Sequence, residues 1–388
     1  MIIGHYAPGL GAQGGISTYV RRVGEAQAKA GHAVHYFARS SRATDAHVVA
    51  GDDDLFDQAR AQQVDVLHLH RPVDDLPAER LPTVRTMHGN QGSCPSGSRY
   101  LARQKAPCHR AYSVAGCLWG HLVDHCGSRR PHRLAANFRS IQREQRLAAA
   151  LPTFTVSRFL KEQMVRSGCP ADNLHVLRSP APSASDAYTP PPEGTPRFVF
   201  LGRIEPKKGV DWLLRAAARV TRPLQVDVAG AGSDEYVQKM QALADERGVA
   251  STFHGWLETE EVNTLLRAAR AVVFPSVWHE PAGLVTLEAA AMGRPVIAGR
   301  VGGLPEYAHD DFALLAEPHD DEALADAIER LAAGRALAGR MGRAAHRAAR
   351  ERFAMSDFIE TLTGHYERAI ADHSARREPQ RAASAPAA

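Results

Sequence analysis

The sequence has 388 residues, enough for two domains of ordinary size, and its 44% hydrophobic and 23% charged composition is that of a globular protein. A formal net charge of +4 is too small to indicate a nucleic-acid partner. No run approaches 18 uninterrupted apolar residues, and the opening MIIGHYAPG is too short for a signal peptide, so we expect a cytoplasmic protein. In that compartment five cysteines do not by themselves indicate disulfides.

The first half of the chain alternates between strand and helix patterns. The opening strand leads into a glycine-rich loop, Gly9 to Gly15, and then a helix that ends at Gly31. Further strands are predicted at AVHYFAR, DVLHLH, TVRTMH and LPTFTVS. This alternation predicts a parallel α/β domain over residues 1–180, interrupted by an irregular Cys-, His- and Arg-rich insert at 90–150.

The second half repeats the pattern after a break. Residues 181–196 are dense in Pro, Ser and Ala and are predicted to be a linker. Strand–helix alternation resumes over 197–355, which we interpret as a second domain. A helix over 356–375 is expected to pack back on the first domain, and 376–388 is predicted to be a disordered tail. The sequence therefore predicts two doubly wound, Rossmann-like domains that face a crevice at the carboxyl ends of their strands.

One stretch of the second half, Pro275 to Glu306, indicates a ligand site. The apolar run AVVFP predicts a buried strand, a turn containing Gly283 follows, and a helix pattern starts at Leu284. The free N–H groups and the dipole of a helix start attract anions. Glu280 and Glu288, eight positions apart, flank that helix start. A ligand with phosphates in the middle and hydroxyl groups at both ends, such as a nucleotide sugar, fits this pattern.

Several segments together carry a family resemblance: GGIST, FLGRIEPKKGVDWLLRAA, VAGAGSDE, FHGWL and HEPAGLVTLEAAAMGRPVIAGRVGGLPE. With them the sequence resembles the retaining glycosyltransferases of family 4 (glycosyl transferases group 1), which have the GT-B fold. The resemblance covers nearly the whole chain and is strongest over 198–306. It implies transfer of a sugar, with retention of configuration, from a UDP- or GDP-linked donor. The implied acceptor is a glycan or a lipid pyrophosphate, and the implied setting is surface polysaccharide assembly.

Two cations and two carboxylates are the main candidates for binding the donor. Arg203 follows a strand end and Lys208 precedes a helix, where they would neutralise a leaving diphosphate; the alternative is two solvated surface cations. The resemblance implies that Glu280 contacts the sugar hydroxyls and Glu288 the nucleotide ribose. The alternative for Glu280 is a negative charge that interacts favourably with the helix dipole, and the alternative for Glu288 is an ordinary surface glutamate.

Backbone groups at two helix starts are further candidates for binding the donor. The N–H groups of Gly283, Leu284 and Val285 are expected to contact phosphate. Gly14 and Gly15 would let the first loop approach the diphosphate from the N-terminal domain.

The resemblance implies a histidine near the donor sugar at His88, which ends a predicted strand. His70 ends the neighbouring predicted strand, and whether it takes part stays open.

Asp52 and Asp54 form a DxD, which we interpret as helix N-capping. No metal is predicted for the transfer step.

The insert carries two open questions. Cys94, Cys108, Cys117 and Cys126 lack a CxxC pair, so buried thiols are the first interpretation and a structural metal the second. Between Arg99 and Arg146 there are ten Lys or Arg residues against two acids, which indicates either a solvated face or a cationic surface for a lipid pyrophosphate or an anionic membrane. The protein would then lie peripherally at the inner membrane face.

Alternatives to a transferase also stay open. An epimerase-like GT-B enzyme would keep the fold but change the chemistry. A non-catalytic sugar-nucleotide binding protein would keep the site without turnover.

Overall fold

The computed structural model describes residues 1–10, 14–40 and 45–383, with side chains described through residue 376. Part of the predicted first loop, Gly11 to Gln13, lies outside the described residues. The predicted α/β class is confirmed: two parallel sheets are each covered by helices on both faces. No described helix has the length and apolar character needed to cross a bilayer.

The N-terminal domain is built on a seven-stranded sheet. Its strands are β1 (Ile2–Tyr6), β2 (Ala33–Ala38), β3 (His47–Val48), β4 (Val66–Leu69), β5 (Thr83–Met87), β8 (Thr153–Thr155) and β9 (Leu174–Val176), while the short hairpin β6 (Tyr100–Leu101) and β7 (Ala106–Pro107) lies in the insert. The helices are α1 (Gly15–Lys29), α2 (Asp52–Ala61), α3 (Val114–Leu122), α4 (Pro131–Ala150) and α5 (Arg158–Arg166). The strand order is β3-β2-β1-β4-β5-β8-β9, with all pairs parallel.

The C-terminal domain is built on a six-stranded parallel sheet. Its strands are β10 (Arg197–Leu201), β11 (Gln225–Ala229), β12 (Ser251–Gly255), β13 (Ala271–Phe274), β14 (Val296–Gly299) and β15 (Ala313–Ala316). Its helices are α6 (Val210–Ala217), α7 (Asp234–Glu246), α8 (Thr259–Ala268), α9 (Leu284–Ala291), α10 (Asp321–Ala333) and α11 (Arg335–Arg347). The strand order is β12-β11-β10-β13-β14-β15. The chain first adds strands on one side of β10 and then on the other, starting with β13, and the N-terminal sheet changes sides in the same way between β1 and β4. Ligands of such sheets bind outside the strand ends at these reversal points.

The last helix, α12 (Met355–Ala383), returns to the N-terminal domain. Its side chains Phe358, Leu362 and Tyr366 are buried in one cluster with Ile3 and Val84 of the N-terminal sheet. The helix continues to Ala383, past the predicted end near residue 375. The remainder of the predicted tail, 384–388, lies outside the described residues.

Candidate active site in the interdomain crevice

Two helix N-termini from different domains face each other in the crevice. A Cβ atom placed on Gly15, the first residue of α1, would lie 3.6 Å from Leu284 Cδ1 at the start of α9. Gly14 is the N-cap of α1 and has a φ of 154°, a conformation that favours glycine. Gly283 is the N-cap of α9, so the amides of Leu284 and Val285 belong to its first turn. Among the described residues neither helix start has a side-chain cap, so the first-turn N–H groups of both make the space between them suited to an anion.

Glu280 and Lys208 form a buried ion pair beside the start of α9. Lys208 Nζ lies 2.6 Å from Glu280 Oε1, and the two side chains are 11% and 6% exposed. The same oxygen accepts hydrogen bonds from Trp278 Nε1 at 2.6 Å and Ser276 Oγ at 2.5 Å. Within the described part of the chain, every hydrogen bond to this carboxylate falls on Oε1. The remaining oxygen can therefore meet a ligand hydroxyl without breaking the pair.

Lys208 reaches Glu280 because of the backbone that follows it. Gly209 has a φ of 73° and ends a 3-10 turn over Pro206–Lys208. A Cβ on Gly209 would lie 1.9 Å from the carbonyl oxygen of Pro275, so a side chain there would push the turn away from the end of β13. The glycine of the KKG segment thus holds the lysine against the turn that carries Glu280.

The Glu280 turn is also fastened to the N-terminal domain. Asn90 Nδ2 donates to the His279 carbonyl at 2.9 Å, and Ser157 Oγ donates to the Pro281 carbonyl at 2.6 Å. Glu306, the last residue of GGLPE, accepts the N–H groups of Arg158 and Phe159 at 2.8 Å each and so caps α5. These contacts set the position of Glu280 relative to the opposite wall of the crevice.

Glu288, one turn into α9, faces the other domain as well. Its Oε1 lies 3.6 Å from the guanidinium of Arg22 on α1. Desolvation in the crevice raises the pKa of the Glu288 carboxyl, and Arg22 opposes that rise. At 3.6 Å the pair is an ion pair rather than a hydrogen bond, so the carboxylate keeps its capacity to accept one.

Arg203 has no described contact with the other predicted donor-binding residues. Its side chain is 63% exposed and pairs with Glu205 at 3.0 Å, and Glu205 also lies 3.4 Å from Lys207 Nζ. The exposed guanidinium can reorient toward a ligand at low cost because a surface ion pair contributes little.

His88 lies at the end of a buried chain of hydrogen bonds. Its Nε2 is 3.0 Å from His70 Nδ1, His70 Nε2 is 2.9 Å from His5 Nδ1, and His5 Nε2 is 2.7 Å from Gln27 Oε1. Gln27 Nε2 in turn contacts the Tyr366 hydroxyl at 3.3 Å, which orients the amide oxygen toward His5.

That orientation fixes the tautomer of each ring. His5 donates to Gln27, His70 donates to His5, and His88 donates to His70, so Nδ1 of His88 is left as a hydrogen-bond acceptor. Burial lowers the pKa of His5 to about 4 and that of His88 to about 3, and Arg71 and Arg85 add to the effect at His88. All three rings are therefore neutral near pH 7. His70 thus lies behind His88, as its hydrogen-bond partner.

The same histidines resemble a metal site in their spacing. Ligand atoms of His5, His68 and His70 lie within 4.8 Å of one another. Every ring nitrogen of the three has a hydrogen-bond partner, with Tyr366 and Thr86 serving His68. We interpret the group as a hydrogen-bond network.

The N-capping prediction for the DxD is wrong. Gly51 is the N-cap of α2, and Asp52 and Asp54 lie in its first turn without capping it. Asp54 instead accepts the N–H of Ala50 at 2.6 Å, and Asp52 pairs with Arg39. The carboxylates still favour the helix dipole from within the first turn, which is why the pattern looked like a cap.

Several residues of this site were not identified from the sequence: Arg22, Gln27, Asn90, Ser157 and Glu306. Glu306 had a signal, because GGLPE was part of the recognised pattern, but its partner lies about 150 positions away. The others are single polar residues whose partners are set by tertiary structure alone.

Part of the chain is similar in sequence to known proteins. Residues 184–348 match the family model of glycosyl transferases group 1. This part of the chain is similar to that family. The matched region holds Arg203, Lys208, Glu280 and Glu288, whereas His88 and the glycines of α1 lie outside it.

Relatives and solved structures extend the comparison. D-inositol 3-phosphate glycosyltransferase of Mycobacterium tuberculosis is 36% identical over 218 residues, which are 54% of this chain and 45% of that protein. The chain thus matches about half the length of these curated relatives. Sucrose-phosphate synthase of Thermosynechococcus elongatus has a TM-score of 0.71 at 20% identity, covering 96% of this chain and 99% of that one. Anabaena HepE in complex with UDP-glucose has a TM-score of 0.70 at 16% identity, covering 95% and 99%. The GT-B fold predicted from the sequence is confirmed.

Proposed function

We propose that the protein is a retaining glycosyltransferase that uses a UDP- or GDP-linked sugar. The observation that carries the proposal is the buried Lys208–Glu280 pair beside the start of α9, opposite the start of α1. A diphosphate between the two helix starts would receive N–H groups from both domains. The HepE structure with UDP-glucose and the group 1 match support a nucleotide-sugar donor.

Each predicted residue then has a role. Arg203 and Lys208 offset the charge that develops on the leaving diphosphate. Glu280 accepts hydrogen bonds from the sugar hydroxyls, and Glu288 accepts them from the ribose. His88, with Nδ1 as an acceptor, receives a hydroxyl hydrogen of the sugar.

The transfer is a substitution on one face of the sugar. The bond from the anomeric carbon to the phosphate oxygen breaks as the acceptor oxygen bonds to that carbon, and the acceptor proton passes to the departing phosphate. The side-chain cations and the helix amides supply the charge stabilisation, so we propose that this step needs no metal ion.

Nucleoside diphosphate release from a panel of UDP- and GDP-sugars tests this function. Glu280→Ala is expected to abolish release, while Glu246→Ala, at an exposed position on α7, keeps it. Proton NMR of the first-formed product reports the anomeric configuration, and excess chelator should leave the rate unchanged. Inverted product would overturn the retaining mechanism. Donor binding without turnover on any acceptor, including D-inositol 3-phosphate and lipid pyrophosphates, would favour the binding-protein alternative, and donor isomerisation the epimerase.

We further propose that the acceptor side lies against an anionic membrane, with surface polysaccharide assembly at the inner membrane face as the setting. Helix α3 exposes Val114, Leu118, Trp119 and Leu122 by 39–60%. Both acids of the Arg99–Arg146 segment are in ion pairs, Asp124 with Arg110 and Glu144 with Arg85, so neither offsets the charge of the other basic residues. Of those, Arg143 pairs with Asp74 outside the segment. An apolar helix face next to excess positive charge fits a bilayer surface with anionic lipid.

Vesicle co-sedimentation tests the membrane contact. Binding to anionic vesicles is expected to fall on Trp119→Ser and on charge reversal of Arg129 and Arg130, while neutral vesicles bind weakly throughout. The matched control is Trp256→Ser, at a 48% exposed tryptophan of the C-terminal domain. Equal binding by all variants would overturn the membrane contact and leave the transferase proposal intact.

A further inference from the structure

Residues 93–130 of the insert have almost no hydrophobic core of their own. In residues 93–130, all of which the structure describes, the only buried apolar side chains are Pro95 and Tyr100. Tyr100 packs into a cluster of the C-terminal domain rather than into the insert. The secondary structure of residues 93–130 consists of a hairpin of two two-residue strands and the short helix α3. Segments this poor in buried apolar surface are usually held by a cross-link or a metal ion.

Four cysteines from separate parts of the insert meet at one point. Cys94, Cys108, Cys117 and Cys126 all line a cavity of about 20 Å³, together with Arg99 and His121. They come from the turn before β6, the end of β7, helix α3 and the loop after α3. A cavity of this size has room for one water-sized body, which suits a single ion better than a multi-iron cluster.

A buried cation beside the cysteines indicates what charge the cavity should hold. Arg99 is 2% exposed, and its guanidinium donates to the carbonyls of Cys108 and Arg110 at 3.0 Å each and to Gln163 Oε1 at 2.7 Å. Its Nε has no partner, and it forms no ion pair with a carboxylate in the described part of the chain. A buried charge is costly unless it is paired. An anionic centre at the cysteines would provide the missing countercharge.

We propose that Cys94, Cys108, Cys117 and Cys126 bind one zinc ion as a tetrathiolate. Binding releases four thiol protons to solvent, and four thiolates around Zn²⁺ carry a net charge of −2 that faces Arg99.

The ion would fix the insert against the catalytic crevice. The ring of His109, next to Cys108, lies 4.7 Å from the ring of His279, the residue before Glu280. On the other side of the hairpin, the Lys105 carbonyl contacts His319 Nε2 at 2.6 Å. The zinc site would thus hold the acceptor-side insert against the C-terminal domain at two places, the Glu280 turn and His319.

Metal analysis of the full-length protein, purified without chelator, tests the site. We expect about one zinc per chain, released when the thiols are modified, and a cobalt-substituted protein with the absorption bands of a tetrahedral thiolate site. Cys117→Ser should lose zinc, and Cys169→Ser, at the remaining cysteine, should keep it. Because misfolding of the insert would also release zinc from Cys117→Ser, cobalt spectra and zinc content of the unmutated protein give the decisive result.

Four outcomes would overturn the assignment: iron and sulfide in place of zinc, disulfides among the four cysteines, four freely titrating thiols in native metal-free protein, or zinc retained by Cys117→Ser. Chelation should also speed proteolytic cleavage within 93–130. These readouts do not depend on transferase activity, so a failure here is separate from a failure of the proposed function.

Discussion

Replacing the lysine of the buried Lys208–Glu280 pair by an uncharged side chain of similar size should markedly lower the free energy of unfolding. At 2.6 Å and an effective dielectric constant of 20, the two charges attract by about 6 kcal/mol, most of which offsets the cost of burying them. Lys208→Met leaves the carboxylate buried with only the donors Trp278 and Ser276. Breaking a buried pair typically costs about 3–5 kcal/mol, and the two remaining donors place our expectation near the lower end, about 3 kcal/mol.

A double-mutant cycle separates the pair from its parts. Glu280→Gln alone leaves the ammonium buried without its partner and should cost a similar amount. The double variant removes both charges, so its loss should be smaller than the sum of the two single losses by at least about 2 kcal/mol. Donor turnover should be lost in all three variants because Glu280 is altered or displaced.

Urea unfolding followed by tryptophan fluorescence measures the cycle. In a Trp119→Phe background the remaining three tryptophans all belong to the C-terminal domain, so the signal reports the domain that holds the pair. Lys239→Met, at an exposed position on α7, is the matched control and should change stability by less than about 0.5 kcal/mol. Additive single losses would refute the claim that the two charges stabilise each other.

Three further predictions follow from other contacts of the site. Glu306→Ala should lower the free energy of unfolding by about 1 kcal/mol through loss of the α5 cap, with Glu306→Asp intermediate; unchanged melting temperatures would contradict this role. Gln27→Leu should lower transferase kcat about ten-fold at unchanged donor KM, because His88 loses its fixed tautomer, whereas Lys29→Leu on the exposed face of α1 should have no effect. The unfolded chain takes up protons at its histidines below about pH 6.5, whereas buried His5 and His88 resist protonation until about pH 4 and pH 3. Stability should therefore fall between these values, by up to about 2 kcal/mol per histidine at pH 5, and a flat melting temperature from pH 7.5 to 5 would contradict it.

The elements that carry Lys208, Glu280 and Glu288 could be predicted from the sequence because their signals are local. A strand, a turn and a helix start occur in order around Glu280, and the KKG segment has its glycine where the backbone needs a positive φ. The sheets are recovered for the same reason, since buried parallel strands are short apolar runs separated by helix patterns.

Contacts between the domains could not be predicted in this way. Glu306 caps a helix about 150 positions earlier in the chain, and Arg22 meets Glu288 only once the two sheets face each other. The histidine chain is similar: His5 lies within one strand pattern, His70 and His88 end two others, and nothing local indicates that neighbouring strands align them.

The return of α12 also bears on the order in which the domains can fold during synthesis. The N-terminal sheet face formed by Ile3, Val66, Val84 and Phe154 is covered by Phe358 and Leu362, which leave the ribosome more than 150 residues after the last strand of that sheet. The C-terminal domain, in contrast, has its whole sheet and helices α6 to α11 between residues 197 and 347. The domain synthesised second can therefore complete its core first, and the N-terminal domain keeps an apolar face exposed until α12 emerges.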